Sequence, residues 1–507
     1  MSALSFRGFT YMFLIVFLIW SSNFEACIAR RGKHWRHSSR DASTALYKKK
    51  GKSYGNGHNK NHGGGSKPKP PSHKGTPTLP KPPPHKNIPS PPSNEDNPTT
   101  PPPKPYNGGH SSSTAFNVLD FGAKGDGKTD DTKAFQAAWA EACKVEASTM
   151  VVPSDYVFFV GPISFSGPYC KPNIVFQLDG TIVAPTNPNA WGRGLLQWLE
   201  FTKLVGITIQ GNGVIDGKGS VWWQDNQYDD PIDDEEKLIV PLNQTVPSPP
   251  LPIQSELGGK MPSVKPTALR FYGSFNPTVT GITIVNSPQC HLKFDNCNGV
   301  MVHNVSISSP GNSPNTDGIH LQNSKDVLIY GSTMACGHGI SIGSLGKDNT
   351  RACVSNITVR DVNMHNTMTG VRIKTWQGGS GSAQGILFSN IQVSEVQFPI
   401  VIDQFYCDKR TCKNQTSAVS LAGINYERIR GTYTVMPVHF ACSDSLPCVD
   451  VSLTSVELKP IQEQNHLYDP FCWQTYGELK TPTVPPIGCL QIGKPTNNRI
   501  QTDHDLC

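Results

Sequence analysis

The chain has 507 residues but lacks a hydrophobic run long enough to cross a membrane. Its one strongly apolar stretch, MFLIVFLIW at residues 12–20, follows Arg7 and is about half as long as a transmembrane helix. Small residues then lead to Ala29, which is the pattern of a cleaved signal peptide. We therefore expect residues 1–29 to be a signal peptide and the mature protein to be soluble and secreted, with a membrane anchor as the alternative.

Helical periodicity is scarce as well. Only the segment after FNVLDFGAKGDGK predicts an amphipathic helix, with Asp130, Asp131 or Thr132 as its N-cap. The apolar face of this helix is formed by Phe135, Ala138, Trp139 and Ala142. No other segment predicts a helix convincingly, so the chain is expected to be mainly β-structure.

Short β runs recur along the rest of the chain. GITIVNS, NVSI, GSTM, NITV and NIQV follow one another at spacings of about 25 to 34 residues. Such spacing is typical of a solenoid and disfavours the alternative, an antiparallel sandwich or barrel. The sequence thus predicts an all-β fold, a single-stranded right-handed parallel β-helix over residues 114–507, whose N-terminal end is capped by the one helix. Residues 224–266 do not repeat and are expected to form an acidic, proline-rich surface loop.

The positive charge of the chain is concentrated before this domain. Residues 30–113 hold sixteen Lys or Arg and three acids, a local charge of +13 in a chain of net charge +6, which leaves the remainder at −7. Gly, His and Pro dominate the same segment, so we expect a disordered linker. An acidic polysaccharide suits a secreted cationic segment better than the alternative, nucleic acid.

Fourteen cysteines in a chain expected to be secreted indicate disulfides. Removal of Cys27 with the signal peptide would leave an odd number, and therefore at least one thiol without an intramolecular partner. Connectivity does not follow from sequence, but plausible bridges are Cys143–Cys170, Cys407–Cys412, Cys442–Cys448 and Cys472–Cys489.

Four sequons indicate a glycoprotein. Asn243 and Asn414 fall in predicted loops. Asn304 and Asn356 fall in repeat strands, where a buried asparagine ladder is the alternative.

Three motifs carry the candidate chemistry. SPNTDGIH holds Asn315 and Asp317, GHGISIGSLG holds His338, and GVRIKTWQGGSGSA holds Arg372 and Lys374. Side chains two apart on a strand share a face, so Asn315 is expected beside Asp317 and Arg372 beside Lys374. Stacking of successive coils about 4.8 Å apart would align these groups along one groove. A basic pair is suited to holding a carboxylate.

In order and in flanking residues, these motifs resemble the active-site motifs of plant-type polygalacturonases (glycoside hydrolase family 28) over roughly residues 115–480. The resemblance implies a monomeric, secreted cell-wall enzyme that hydrolyses α-1,4-galacturonosyl linkages of pectin with inversion, without cofactor or metal. It implies no nucleic-acid or membrane partner for the mature chain. It assigns catalytic roles to Asp317, which helps activate water, and to His338, which supports the catalytic carboxylates. Substrate contacts are implied for Asn315, Arg372, Lys374 and, in IDQFYCD, Tyr406.

One motif of that family is missing. Relatives carry Gly-Asp-Asp-Cys between the first two motifs, whereas here only about two dozen residues separate Asp317 from His338, without an Asp pair. Asp326 and Asp348 are the nearest remaining acids, and neither lies in an equivalent context. The loss amounts to one coil, it includes the family's general acid, and it would leave Cys336 without a partner.

Loss of a general acid costs a factor of about 10²–10⁴ in rate, so three hypotheses stand. The chain is an active polygalacturonase, a catalytically impaired pectin-binding β-helix, or a splice or gene-model variant of an active enzyme. A calcium-dependent pectate lyase is a weaker alternative, because the repeats show no cluster of acidic ligands.

Overall fold

The structure is a computed structural model, and it describes residues 114–192, 197–223, 261–407, 412–461 and 467–496. The expected signal peptide, the basic linker, the sequon at Asn243 and most of the 224–266 loop lie outside these residues. Within them, no helix has the length and apolarity needed to cross a bilayer.

The described residues are dominated by short strands, numbered in chain order. Strands β1 to β15 are Ala115–Asn117, Asp126–Asp130, Thr149–Val152, Val157–Phe159, Ile163–Ser166, Val175–Leu178, Thr181–Val183, Gln197–Thr202, Thr208–Gln210, Val214–Asp216, Thr267–Tyr272, Thr278–Thr280, Thr283–Val285, Leu292–Asp295 and Asn298–His303. Strands β16 to β30 are Ser306–Ser308, Asp317–Gln322, Lys325–Tyr330, Thr333–Ala335, His338–Leu345, Arg351–His365, Thr369–Trp376, Ser380–Val396, Phe398–Tyr406, Ser420–Tyr433, Val438–Ala441, Cys448–Thr454, Glu457–Pro460, Phe471–Trp473 and Thr475–Leu479. The helices are α1 (Thr132–Ala142) and α2 (Ser220–Trp223), with 3₁₀ turns at Val118–Phe121, Pro188–Ala190 and Lys347–Asn349.

All of these strands pair in parallel, and each coil contributes to every face in turn. Strands β5, β8, β11, β14, β17, β20, β22, β24, β26 and β29 form one ten-stranded sheet, which we call the site sheet. The other twenty strands form a second sheet, in which the long strands β21, β23 and β25 bend to serve two faces. The fold is therefore the right-handed parallel β-helix that the repeat spacing predicts.

Helix α1 closes the N-terminal end of the solenoid. It begins after the N-cap Asp131, one of the three predicted caps, and it buries the four predicted apolar residues. The Trp139 ring packs edge-on against Phe165 at 5.2 Å and Phe201 at 5.8 Å between ring centroids. The Cys143–Cys170 disulfide joins the end of the helix to the first coils. The helix thus covers the first strands, as a cap should.

The core consists of ladders of like side chains, because residues in register repeat from coil to coil. Phe165, Phe201, Phe271 and Phe294 stack with centroid separations of 4.6, 5.4 and 4.9 Å. Each is at most 1 % exposed. These contacts fix the register of the site sheet inside the solenoid.

The coil that joins β17 to β20 is short, but it closes in register. Asp317 and its register partner His338 are 21 positions apart, against 31 between His338 and Thr369 and 29 between Thr369 and Phe398. The solenoid therefore tolerates the missing coil without a break in the sheet. This is the behaviour expected of a repeat architecture in which each coil contacts only its neighbours.

The cysteines agree with the sequence prediction. All four predicted bridges are formed. Among the described residues the free thiols are Cys290, Cys297 and Cys336, all of them buried. Cys336 is therefore unpaired, as the missing coil led us to expect.

The buried asparagine ladder, which was the alternative at two sequons, is not formed. Asn304 and Asn356 are exposed, not buried, and both have φ of 55°. They lie at bends, where asparagine tolerates the left-handed conformation better than most residues. Their amides, and that of the exposed Asn414, are accessible at the surface.

Candidate active site

The candidate site is built by three neighbouring strands of the site sheet. Strand β17 begins at Asp317, β20 begins at His338 directly beside it, and β22 follows with Arg372 and Lys374. Because the coils stack in register, residues 55 and 57 positions apart in sequence reach the same carboxylate.

Glycine makes this close approach possible. A Cβ on Gly339 would lie 2.5 Å from the Gly370 carbonyl oxygen, and one on Gly337 would lie 2.5 Å from the Ser313 carbonyl oxygen. The hydroxyl of Thr316 accepts a bond from the Gly337 amide at 2.9 Å and ties the two coils together. The glycines of the GHG motif therefore place His338 against Asp317.

Four basic side chains surround the Asp317 carboxylate. His338 Nδ1 lies 3.1 Å from Oδ1 and Arg372 Nη2 lies 3.4 Å from the same oxygen. On the other side, His320 Nδ1 lies 3.6 Å and Lys374 Nζ 3.9 Å from Oδ2. Asp317 is 1 % exposed, so these contacts are made out of water.

The charges around Asp317 keep it ionised. Burial by itself raises the pKa of the carboxyl, but Lys374, the hydrogen bond from His338 and Arg372 together outweigh it and hold that pKa well below its usual range. A carboxylate that is never protonated near neutral pH can accept a proton from water but cannot donate one.

Two neighbours of Asp317 were missed by the sequence analysis. Burial, followed by the charge of Lys293, lowers the pKa of His320 well below its usual range, so its imidazole is neutral. Burial, followed by the charge of Asp317, raises the pKa of Cys290 to about 12. The protonated thiol therefore donates to His320 Nδ1, with Sγ 3.2 Å away. Strand alternation was the available signal, since His320 lies between the core residues Ile319 and Leu321.

A third missed residue, His291, supports the backbone of Asp317 from the preceding coil. Its Nδ1–H donates to the Asp317 carbonyl at 3.0 Å and its Nε2 accepts from the Ser309 hydroxyl at 2.7 Å. The carbonyl can only accept, which fixes the tautomer. Burial lowers the pKa of His291 to about 4, so the ring is a neutral structural bridge.

Aromatic rings flank the basic pair. Lys374 Nζ lies 4.7 Å from the ring centroid of Tyr406, and Trp376 packs edge-on against Tyr406 at 5.8 Å. Tyr406 and Trp376 are register partners on β24 and β22. The structure thus brings Tyr406 into the site, and it adds Trp376, which the sequence analysis did not single out.

Asn315 does not share a face with Asp317 in the predicted way. Strand β17 begins only at Asp317, and Asn315 lies in the preceding turn with φ of 56°. Strand alternation does not relate residues on either side of such a turn, so this geometric prediction is wrong. Of the nearest remaining acids, Asp326 lies on β18 in the second sheet and Asp348 in a 3₁₀ turn.

The site has possible ligands for a metal but an unfavourable charge. Cys290, Asp317 and His320 bring ligand atoms within 4.8 Å of one another. However, the thiol is held protonated, and the Asp317 carboxylate is already opposed by Arg372 and Lys374. This arrangement favours an anion over a cation as the external partner.

The two strands that follow β17 in the site sheet supply no second carboxylate, whereas β14 on its other side ends at Asp295 and β24 carries Asp403. Strand β20 reads HGISIGSL and β22 reads TGVRIKTW, neither of which contains Asp or Glu. Hydrolysis of a glycosidic bond ordinarily uses a pair of carboxylates. The two strands that bring His338, Arg372 and Lys374 to Asp317 therefore offer no second carboxylate.

The fold and the site define the class of protein: a parallel β-helix in which an ionised carboxylate and a basic pair lie together on one sheet. The family model "Glycosyl hydrolases family 28" matches residues 143–241 and 256–467, and "Rhamnogalacturonase A/epimerase, pectate lyase-like" matches residues 115–161. The chain belongs to glycosyl hydrolase family 28.

Relatives place it among the plant-type polygalacturonases, which are glycosidases. It is 38 % identical over 379 residues to a polygalacturonase of Cryptomeria japonica, covering 69 % of this chain and 68 % of that one. It is 36 % identical over 402 residues to a probable polygalacturonase of Arabidopsis thaliana, covering 74 % of this chain and 84 % of the relative.

Solved structures agree on the fold. An exopolygalacturonase from Thermotoga maritima superposes with a TM-score of 0.51 at 21 % identity, over 68 % of this chain and 86 % of that one. An endo-xylogalacturonan hydrolase from Aspergillus tubingensis superposes with a TM-score of 0.52 at 18 % identity, over 75 % and 99 %.

Proposed function

We propose that this chain is a secreted enzyme that hydrolyses α-1,4-galacturonosyl linkages of pectin in the cell wall, with inversion and without a metal. The observation that carries the proposal is the convergence of Arg372 and Lys374 on the Asp317 carboxylate at one face of the β-helix. The polygalacturonase relatives support the same substrate.

The basic pair explains the preference for an acidic sugar. A galacturonosyl carboxylate would be held by the Arg372 guanidinium through charge-assisted hydrogen bonds, with Lys374 as a second positive charge. In the free protein Asp317 occupies these cations, so the substrate carboxylate must compete with it. His338 Nδ1 also lies 3.1 Å from Asp317 Oδ1 in the free protein.

Asp317 has the properties of a general base. Its carboxylate is ionised, and a base on one face of the sugar ring activates the water that inverts the anomeric centre. The leaving oxygen must then be protonated by a group other than a carboxylate of β20 or β22, since neither strand has one.

That absence favours a second candidate function, binding of galacturonan without hydrolysis. The cations that recognise a carboxylate are present on β22, whereas β20 and β22 lack the carboxylic acid that would complete the reaction. A β-helix of this kind would recognise pectin without cutting it.

Release of reducing ends from de-esterified polygalacturonate by the purified mature chain separates the two candidates. Asp317→Asn serves as the control. Ends released by the chain and not by the variant establish the hydrolase. If neither protein releases ends while both bind polygalacturonate, hydrolysis is overturned and binding is the function.

Secretion belongs to the same proposal. The exposed sequons at Asn304, Asn356 and Asn414 are accessible to the glycosylation machinery. Expression of the full chain in plant cells should yield apoplastic protein whose mass falls on enzymatic deglycosylation; retention inside the cell without glycan would contradict it.

The basic segment 30–113 is proposed to bind acidic polysaccharide, which a tail-deleted chain would test by weaker retention on pectin.

A further inference from the structure

The site sheet continues toward the N-terminus beyond Asp317, and its outer face carries a second set of charges. Register partners run from Glu200 on β8 to Arg270 on β11, Lys293 on β14 and His320 on β17. Arg270 therefore lies two strands before Asp317 on the same sheet, a separation of about 10 Å along the stack. A polysaccharide that follows the sheet from Asp317 would reach it.

Arg270 is held by acids on both sides. Its Nη1 donates to Glu200 Oε1 at 3.0 Å and its Nη2 donates to Asp295 Oδ2 at 2.8 Å. The three side chains are 12 to 18 % exposed, so the network is partly shielded from water. With Lys293 included, this group of four charged residues, which we call the Arg270 network, has no net charge. Arg372, Lys374 and Asp317 together are positive.

An aromatic ring adjoins the Arg270 network. Tyr272 is 37 % exposed, and its ring centroid lies 5.1 Å from the Arg270 guanidinium carbon. Its register partner on β14 is Asp295. A partly exposed ring offers an apolar surface to a sugar or to a methyl group.

We propose that the Arg270 network and Tyr272 form a subsite for an uncharged sugar unit, such as a methyl-esterified galacturonosyl residue. The proposal rests on the proposed binding of galacturonan at Asp317. A free galacturonate carboxylate would find the Arg270 guanidinium already paired with two carboxylates, and like charges at close range disfavour binding. A methyl ester removes that repulsion and adds apolar contact with Tyr272. The molecule would then prefer partly esterified pectin, with a free acid near Arg372 and an ester near Arg270.

The test compares binding of two oligogalacturonide hexamers, one fully de-esterified and one partly methyl-esterified, by isothermal titration calorimetry. The wild-type chain should bind the partly esterified hexamer more tightly. The double variant Glu200→Gln with Asp295→Asn replaces both carboxylates beside Arg270 by neutral amides of similar shape. The positive charge of Arg270 is then no longer neutralised. We expect its affinity for the de-esterified hexamer to rise about three- to fivefold, the range for a partly exposed ion pair.

The matched control is Asp326→Asn with Asp361→Asn. It also removes two negative charges, but from the second sheet, where Asp326 and Asp361 accept hydrogen bonds from Asn356 and Asn390. An equal gain in the control, or no change in the preference of the double variant, overturns the inference alone. A folded wild-type chain that binds neither hexamer overturns the proposed function and this inference with it.

Discussion

Asp317 is the proposed general base of the site. Its contacts with basic side chains have two opposing effects. The contacts that keep it ionised, from Lys374, His338 and Arg372, suit a general base. The same contacts engage the cations that a substrate carboxylate needs. Substrate binding and Asp317 therefore compete for Arg372 and Lys374.

Substitution Asp317→Asn should strengthen the binding of oligogalacturonate while it abolishes any hydrolysis. The neutral amide no longer neutralises Arg372 and Lys374, which become available to the ligand. We expect affinity to rise about tenfold, the scale of one hydrogen bond to a charged group. Calorimetric titration of the variant measures it, with the exposed Asp326→Asn as control. A loss of affinity in folded Asp317→Asn protein would show that Asp317 itself binds the sugar.

The second prediction concerns stability at mildly acid pH. Burial holds the folded-state pKa of His291 at about 4, below the ordinary value of 6.5. Between these values the unfolded chain takes up a proton that the folded chain refuses, so stability falls as pH drops from 6.5 to about 4. The loss is on the order of 3 kcal/mol. Asp317, whose pKa is lower still, contributes its own loss only below about pH 4.

Urea unfolding of the wild type and of His291→Gln between pH 4 and 7 checks this. The glutamine amide can still donate to the Asp317 carbonyl but does not titrate, so the slope of stability against pH should decrease. It should not vanish, because the low pKa of His320 acts in the same direction. The exposed His365→Gln should keep the full slope; an equal decrease there would contradict the assignment.

At the scale of elements, register decides which residues meet. Strand β20 stacks directly on β17, so His338 lies beside Asp317 and the basic pair of β22 is only two strands away from it. The inner faces of the same sheet carry the phenylalanine ladder, which sets the position of the strands.

Removal of one ring from the phenylalanine ladder should destabilise the part of the site sheet that precedes β17. Phe271 is fully buried between Phe201 and Phe294, so Phe271→Ala leaves a cavity and should reduce the free energy of unfolding by about 3–5 kcal/mol. Phe271→Leu fills most of that volume and should cost clearly less. Denaturant unfolding of both variants measures the difference, and equal losses would mean that stacking, not volume, stabilises the ladder.

At the scale of the whole molecule, the solenoid is a modular stack in which a coil can be absent while the rest remains in register. Strand β17 pairs directly with β20 at the place where the resemblance puts an absent coil. The resemblance to polygalacturonases implies that the absent coil holds an Asp pair. The β-helix of this chain therefore forms without the coil that would hold the acid.

Insertion of one coil that contains Gly-Asp-Asp-Cys after Cys336 should supply the missing acid. We expect release of reducing ends from polygalacturonate to rise about 10²–10⁴-fold, the usual contribution of a general acid. An otherwise identical coil with Asn in place of both Asp residues is the control. No gain in a folded Asp-Asp insertion, or an equal gain with the Asn coil, would show that the acid is not what limits this chain.

The sequence by itself determined the class of fold, the capping helix and the family. These depend on local and periodic features: the apolar spacing around Trp139, the repeat of short β runs, and motifs such as SPNTDGIH that are contiguous in the chain. Residues two apart on one strand, such as Arg372 and Lys374, are related by geometry that sequence already contains.

Only the tertiary structure decided what surrounds Asp317 and Arg270. Contacts of Asp317 with Lys374, and of Arg270 with Glu200, join positions 57 and 70 residues apart. They depend on how many residues each coil uses and on which coil stacks on which. The turn at Asn315 was mispredicted for the related reason that strand boundaries depend on pairing with the neighbouring coils. Periodicity thus specifies that coils stack, while the pairing between coils specifies which side chains meet.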